Sequence, residues 1–494
     1  MKIRHILSLI AATTLFSSCF GIDDENYPEL APIEIRTASD TLNVTQGVAF
    51  TYTGLTVESS KDVKYEWCYG PFAQGTAASA HKFQSYEVIS DSKTIDYTFN
   101  TLGTFLLRLK ADNGESVQYH YFTLNVNFGF DEGIVILNND AEGNGKLSFV
   151  KTLTEEEAAA GAQDFHEDIF GPSFPEYTLK NGTALKMTNQ LVKKVQTAGL
   201  LVATNDGRGT IYEIEPMTFE MYNVARMEEH GTYCKEFGGE NANTGYLVSF
   251  FIGADGKAYS FDYQVGYVTN QNDVIPEDME RCVTLTNRSS ATSATTQSGV
   301  FFSDKGLYMK ENTSYASYTA DGYKVINIAC KRTGLNSSAA YFMEQSLTDP
   351  SSYRIMGTSA KRISTPKVIS TFTSDGICMD SSSKFVETLS ANDVYYTWNN
   401  AIYRWPLSSK PASTPAIRLP EGEQIKDIAT NYKGKDKGTE GEDLLYVVTY
   451  NPDRAGDKKG SLYIYRFSDE TCIKSYEGAF YNPVSVIYKY RLSN

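Results

Sequence analysis

The residues able to do chemistry are few and scattered. Past the first eighteen positions only His81, His120, His166 and His230 remain, and none stands in an HExxH, GxSxG or phosphate-binding glycine pattern. Cys68, Cys234, Cys282, Cys330, Cys378 and Cys472 include no CxxC pair, so the zinc and thioredoxin signatures are missing and free, buried thiols are expected. Four of them, Cys234 to Cys378, recur every 48 residues, a repeat signal placing one thiol on each of four equivalent inner strands. Asp140, Glu142, Asn144 and Gly145 imitate the start of a calcium loop, but Lys151 occupies the place of the bidentate acid, and a polar hairpin turn accounts for them. His166-Glu167-Asp168 reads as a solvated helix end. The 60 acidic residues offer too many pairs for a glycosidase couple to be singled out. No catalytic residue, metal or cofactor is therefore assigned.

The aromatic residues say more. Of 34 Tyr and 3 Trp most must pack internally, yet Trp398 falls between Thr397 and Asn399 at an expected turn tip, where a core role is hard to arrange. If hairpin tips and the connections between repeats share one face, Trp398 joins Tyr315, Tyr318, Arg454, Tyr476 and Tyr481 there. Exposed aromatics beside polar groups stack on sugar rings or hold peptide side chains, so this face is the expected ligand-binding surface.

Positioning such a face takes a large framework. A chain of 494 residues, 41% hydrophobic, exceeds what one core serves, so two domains are expected. A net charge of −15 repels a phosphate backbone and excludes nucleic acid as a natural partner. From residue 33 to 127 short alternating strands broken by Gly and Ser predict a β-sandwich. Over 128–494 an apolar strand, a polar turn and a second strand recur seven times, from GIVILNNDAEGNGKLSF (133–149) to LLYVVTYNPDRAGDKKGSLYIY (444–465). Tyr212, Tyr259, Tyr308, Tyr353, Tyr403 and Tyr463 mark the second strands at 45–60 residue intervals, which predicts a seven-bladed β-propeller. No strand fits ahead of Gly133 and no hairpin follows VSVIYKY (484–490), so the C-terminal strand is expected to complete the first blade. Residues 154–170 are expected to form a surface helix and 433–443 a mobile loop. The fold class is all-β.

Residues 1–18 carry a basic start, Lys2, Arg4 and His5, and an apolar run too short to span a bilayer. LFSSC, ending at Cys19, resembles the lipobox of bacterial lipoproteins, which implies a lipid on Cys19 and an outer-membrane anchor. Asp23, Asp24 and Glu25 resemble the surface-export signal of Bacteroidota lipoproteins, with 19–32 as a flexible tether. YTFNTLGTFLLRLKADNG (97–114), with Tyr97, Phe99, Gly103, Phe105, Leu107, Leu109 and Asn113, resembles the late strands of the polycystic-kidney-disease (PKD) type immunoglobulin-like domain, and Trp67 takes that family's core position. Cys68-Tyr69-Gly70-Pro71 departs from its acidic turn. The whole order resembles the PKD-like surface lipoproteins of Bacteroidota. That resemblance implies capture of a polymeric nutrient, glycan or peptide, beside a TonB-dependent transporter and its lipoprotein lid. A propeller lyase or hydrolase acting on extracellular polymer and an adhesin for a host protein are the alternatives.

Overall fold

The structure is a computed structural model describing residues 30–490 apart from 72–86, 160, 188–190, 193–194, 197–198, 217–218, 240–247, 264, 289–294, 312–313, 335–336, 389–391 and 432–442. Cys19, Asp23, Asp24, Glu25 and His81, with nearly all of the expected loop at 433–443, lie outside the described residues. The chain divides into two compact units. The first ends at Val126 and the second runs from Asn127, with the short stretches Thr45–Val48 and Asn100–Leu102 grouped with the second.

In the first unit a five-stranded antiparallel sheet carries Lys64–Pro71, Gly103–Asp112 and Val117–Asn127 at its centre, and two two-stranded ladders accompany it. Alternation decides which side chains are buried: Leu107 and Leu109 point into an apolar cluster with Trp67, Phe122 and Tyr52. Trp67 is fully buried and its indole N–H donates to the Ser92 carbonyl at 3.1 Å, so the ring packs without an orphaned donor. Asn113 is tied in as well, donating to the Ala31 carbonyl and accepting from the Ser116 N–H.

In the second unit the described residues form seven four-stranded antiparallel sheets in a propeller-like arrangement, with a two-stranded ladder beside them. The innermost strands are Gly182–Met187, Cys234–Phe237, Arg281–Arg288, Tyr323–Gly334, Phe385–Glu387, Gln424–Thr430 and Asn482–Lys489. Each touches the next in that order, and the last touches the first, so they close a ring. The final strand is the inner strand of the sheet that begins the unit: it pairs antiparallel with Gly133–Asn139, from Gly133 opposite Lys489 to Asn139 opposite Asn482.

Seven apolar seams lie between neighbouring sheets. Ile134 and Ile136 face one seam, Val135 and Leu137 the other, so both faces of the strand are buried and GIVILN reads as an unbroken apolar run rather than an alternating one. The repeated tyrosines sit on the third strand from the axis and pack in these seams; Tyr212, Tyr259, Tyr353, Tyr403 and Tyr463 are buried, and Tyr308 is half-buried.

Three local expectations need correction. Residues 154–170 form only a short helix, Glu155–Ala159. Gly161, at φ 72, marks a turn after it, and Phe165–His166 then pairs as the outer strand beside Gly145–Lys151. His166-Glu167-Asp168 is accordingly no helix end. Glu167 holds two lysines, while Asp168 Oδ1 accepts from the Phe170 N–H at 2.9 Å. The thiols are free but not uniformly buried, Cys472 being exposed, and Cys234, Cys282 and Cys330 fall at the first, second and eighth residues of their strands. Cys378 precedes its strand altogether. Equal spacing in sequence did not give equal height because the connections between sheets differ in length.

Candidate functional site

Hairpin tips and the connections between sheets do share one face. Backbone hydrogen bonds tie the two together around the ring, from Asn181 N–H to the Gly143 carbonyl, Met227 to Arg208, Met279 to Gly256, Leu347 to Gly322 and Leu419 to Asn400. The tip Asp140–Asn144 is such a turn, with Asp140 Oδ1 accepting from the Glu142 and Asn144 N–H groups at 3.0 and 2.7 Å.

The six residues expected on that face do not gather. Arg454 and Tyr481 lie near the junction of the last and first sheets. Arg454 donates to Glu423 at 2.7 Å and lies 3.6 Å from Glu477, and the Tyr481 ring carries Lys146 at 4.7 Å and Lys458 at 5.6 Å. Both lysines reach Glu167, and their hydrogen bonds hold its carboxyl down to about 2. Tyr476 stands nearby on the outer strand, donating to Asp164 at 2.7 Å. Tyr315 and Tyr318 belong to the outer strand Ser314–Thr319 of another sheet; Tyr315 is exposed, and the Tyr318 hydroxyl accepts from Arg354 at 3.0 Å.

Trp398 is not the turn tip. It ends the strand Val394–Trp398 opposite Ala401, and the turn is Asn399-Asn400, with Asn399 at φ 53, a conformation that Asn tolerates. The indole is half-buried, edge-on to Tyr403 at 5.9 Å and packed against the seam there. Trp398→Ala is therefore expected to cost stability, about 1–2 kcal/mol against the roughly 3–5 kcal/mol of a fully buried aromatic, measurable by urea denaturation.

Charged side chains also converge at the ring axis. A cavity of about 210 Å³ lies there, walled by all seven innermost strands. Toward the tip face, ion pairs bridge it. Arg281 Nε lies 3.1 Å from Glu236 Oε1, and Lys384 Nζ reaches the same oxygen at 3.5 Å and Asp427 at 3.7 Å. Asp427 also accepts from the Ser485 hydroxyl and the Val486 N–H, each at 3.0 Å. Arg281 donates to the Ser383 carbonyl, and Asn327 donates to the same carbonyl at 3.0 Å. Burial alone pushes the Glu236 carboxyl up, but the Arg281 and Lys384 charges more than reverse it and hold it below its usual range. Lys186 donates to the Gly238 carbonyl at 2.7 Å, and Lys235, Arg332, Glu387, Thr183, Thr284 and Thr430 add to the polar lining. Burial raises the lining thiols Cys282 and Cys330, the latter to about 12, so both stay protonated at neutral pH.

These axial residues escaped the sequence reading. Their trace was a lone charge inside an apolar inner strand, as Asp427 in QIKDIAT, but nothing in the order of residues tells which charges face each other across a ring.

No family model matches the sequence, and no curated protein does. Solved structures do resemble it. A quinoprotein alcohol dehydrogenase-like protein from Bacteroides thetaiotaomicron is 12% identical with a TM-score of 0.50, covering 94% of this chain and 100% of its own. A protein of unknown function from the same organism is 11% identical at TM-score 0.34, over 95% and 94%. BamB from Moraxella catarrhalis is 8% identical at TM-score 0.33, over 69% and 82%. At such identities the first of these speaks for the fold alone, an all-β, propeller-like one.

Proposed function

We propose that this protein is a lipid-anchored surface protein of the bacterial outer membrane that captures a polymeric nutrient, with a PKD-type sandwich as spacer and a seven-bladed propeller as the capturing domain. The observation that carries the reading is the axial cavity, a concave site into which charged groups, hydroxyls and apolar side chains from all seven innermost strands converge, as in small-molecule sites generally. Such a module suits delivery to a TonB-dependent transporter and its lipoprotein lid. Glycan arrays and peptide pull-downs on the mature chain test it. Retention of one glycan or peptide class supports capture; cleavage of a screened polymer transfers the protein to the enzymes, and retention of a host protein alone makes it an adhesin.

The address is tested separately. Cys19→Ser should release the protein from the membrane fraction, because the lipid thioether needs the sulfur. Replacing Asp23, Asp24 and Glu25 together by Ala should lower labelling of intact cells by a membrane-impermeant reagent. A Cys19→Ser protein that stays membrane-bound removes the anchor, and equal labelling of both forms removes the export signal.

A further inference from the structure

Resting on the capture reading, we propose that the axial cavity binds an anionic sugar, a uronic-acid residue at the end of a glycan or free in solution. Charge is the first observation. The chain carries −15 overall, yet the cavity wall reverses that sign, with five cations, Lys186, Lys235, Arg281, Arg332 and Lys384, against three carboxylates. Each carboxylate already has donors within the wall: Glu236 lies between Arg281 and Lys384, Asp427 accepts from Ser485 and Val486, and Glu387 Oε2 accepts from the Arg332 N–H at 2.8 Å. An entering carboxylate therefore meets a positive surplus in a partly buried site, where charge is screened less than on the open surface.

The second observation is a hydroxyl. Thr430, nine-tenths buried, lines the same cavity, and its Oγ1 has no hydrogen-bond partner among the described residues. Buried polar groups are as a rule satisfied, and a sugar hydroxyl supplies both a donor and an acceptor. Between the polar positions stand Val283 and Val386, apolar surface that suits the C–H face of a pyranose. The cavity far exceeds the roughly 10–15 Å³ that one water needs. With ion pairs bridging the axis toward the tip face, it seats a terminal ring rather than a threaded chain.

Isothermal titration of the mature full-length chain with galacturonate, galactose and a tripeptide bearing a free C-terminal carboxylate decides the matter. Galacturonate should bind about tenfold or more tighter than galactose, and weaken with added salt. Lys186→Gln, which keeps a donor toward Gly238, should weaken galacturonate by about tenfold with the melting curve unchanged, and Lys186→Arg should restore it. Thr430→Val should weaken both sugars. Equal affinity for the two sugars, no galacturonate binding at millimolar concentration, preference for the tripeptide, or an unaffected Lys186→Gln variant overturns the inference. A neutral glycan retained on the array in that case leaves capture standing; failure of the array and the pull-down as well removes both.

Discussion

A chain ending at Tyr481 should lose its cooperative melt and aggregate. The missing strand, Asn482–Lys489, pairs with the inner edge of Gly133–Asn139, and it touches the innermost strands on both sides. Its removal strips Val486, Ile487 and Tyr488 from two seams at once, together with the hydrogen bonds of a whole ladder. At about 1.5–3 kcal/mol for each large apolar side chain, the lost burial alone rivals the ~5–15 kcal/mol that holds a typical domain folded. The exposed strand edge then offers itself to other chains. Differential scanning calorimetry and light scattering check this; a truncated protein that melts like the full chain contradicts the ring closure.

The second large effect is expected at the axis. Arg281→Met removes the closest cation of Glu236 and leaves the carboxylate with Lys384 at 3.5 Å and the weaker field of Lys235. Breaking a buried pair outright costs about 3–5 kcal/mol, so with Lys384 retained a loss of about 2–3 kcal/mol is expected in chemical denaturation. The pH dependence carries a sign. Because Glu236 is held below its ordinary 4.5 in the folded state, its contribution is complete above that value and is lost as pH falls through the lower, folded-state pKa. In Arg281→Met the carboxyl rises, so the difference between the two proteins should shrink steadily below about pH 4.5. A constant difference from pH 7 to pH 3 assigns the loss to packing rather than charge.

The ring was legible in the sequence because its second and third strands are buried on both faces. Runs such as GIVILN and LLYVV are too short for a buried helix and are bounded by turn residues, and the tyrosines that pack between sheets marked the repeat. Closure was legible for a simpler reason, a strand without a hairpin at one end and a hairpin without its inner strand at the other. The outer strands were not, since they bury one face at most, and the first is only two residues long: Phe165–His166 sits behind an Ala-rich stretch whose helical propensity is realised for hardly more than one turn. The expected binding face failed in a different way. Tips and connections do share a side, but Tyr315 and Trp398 lie on different sheets and Tyr481 on the connection between two others, and sequence proximity to a turn fixes neither the azimuth of a residue nor its burial. The axial charges were invisible for the same reason, since Glu236 and Lys384 meet across the ring from positions 148 residues apart.

The most direct test of capture at the axis is a crystal structure of the mature chain grown with the ligand that it retains best on the array. Density for that ligand is expected between Lys186, Arg332 and Thr430, with the Arg281–Glu236–Lys384 bridge intact beneath it. Density at the outer strands around Tyr315, or at the Tyr481 cluster, with an unoccupied axis, contradicts that expectation.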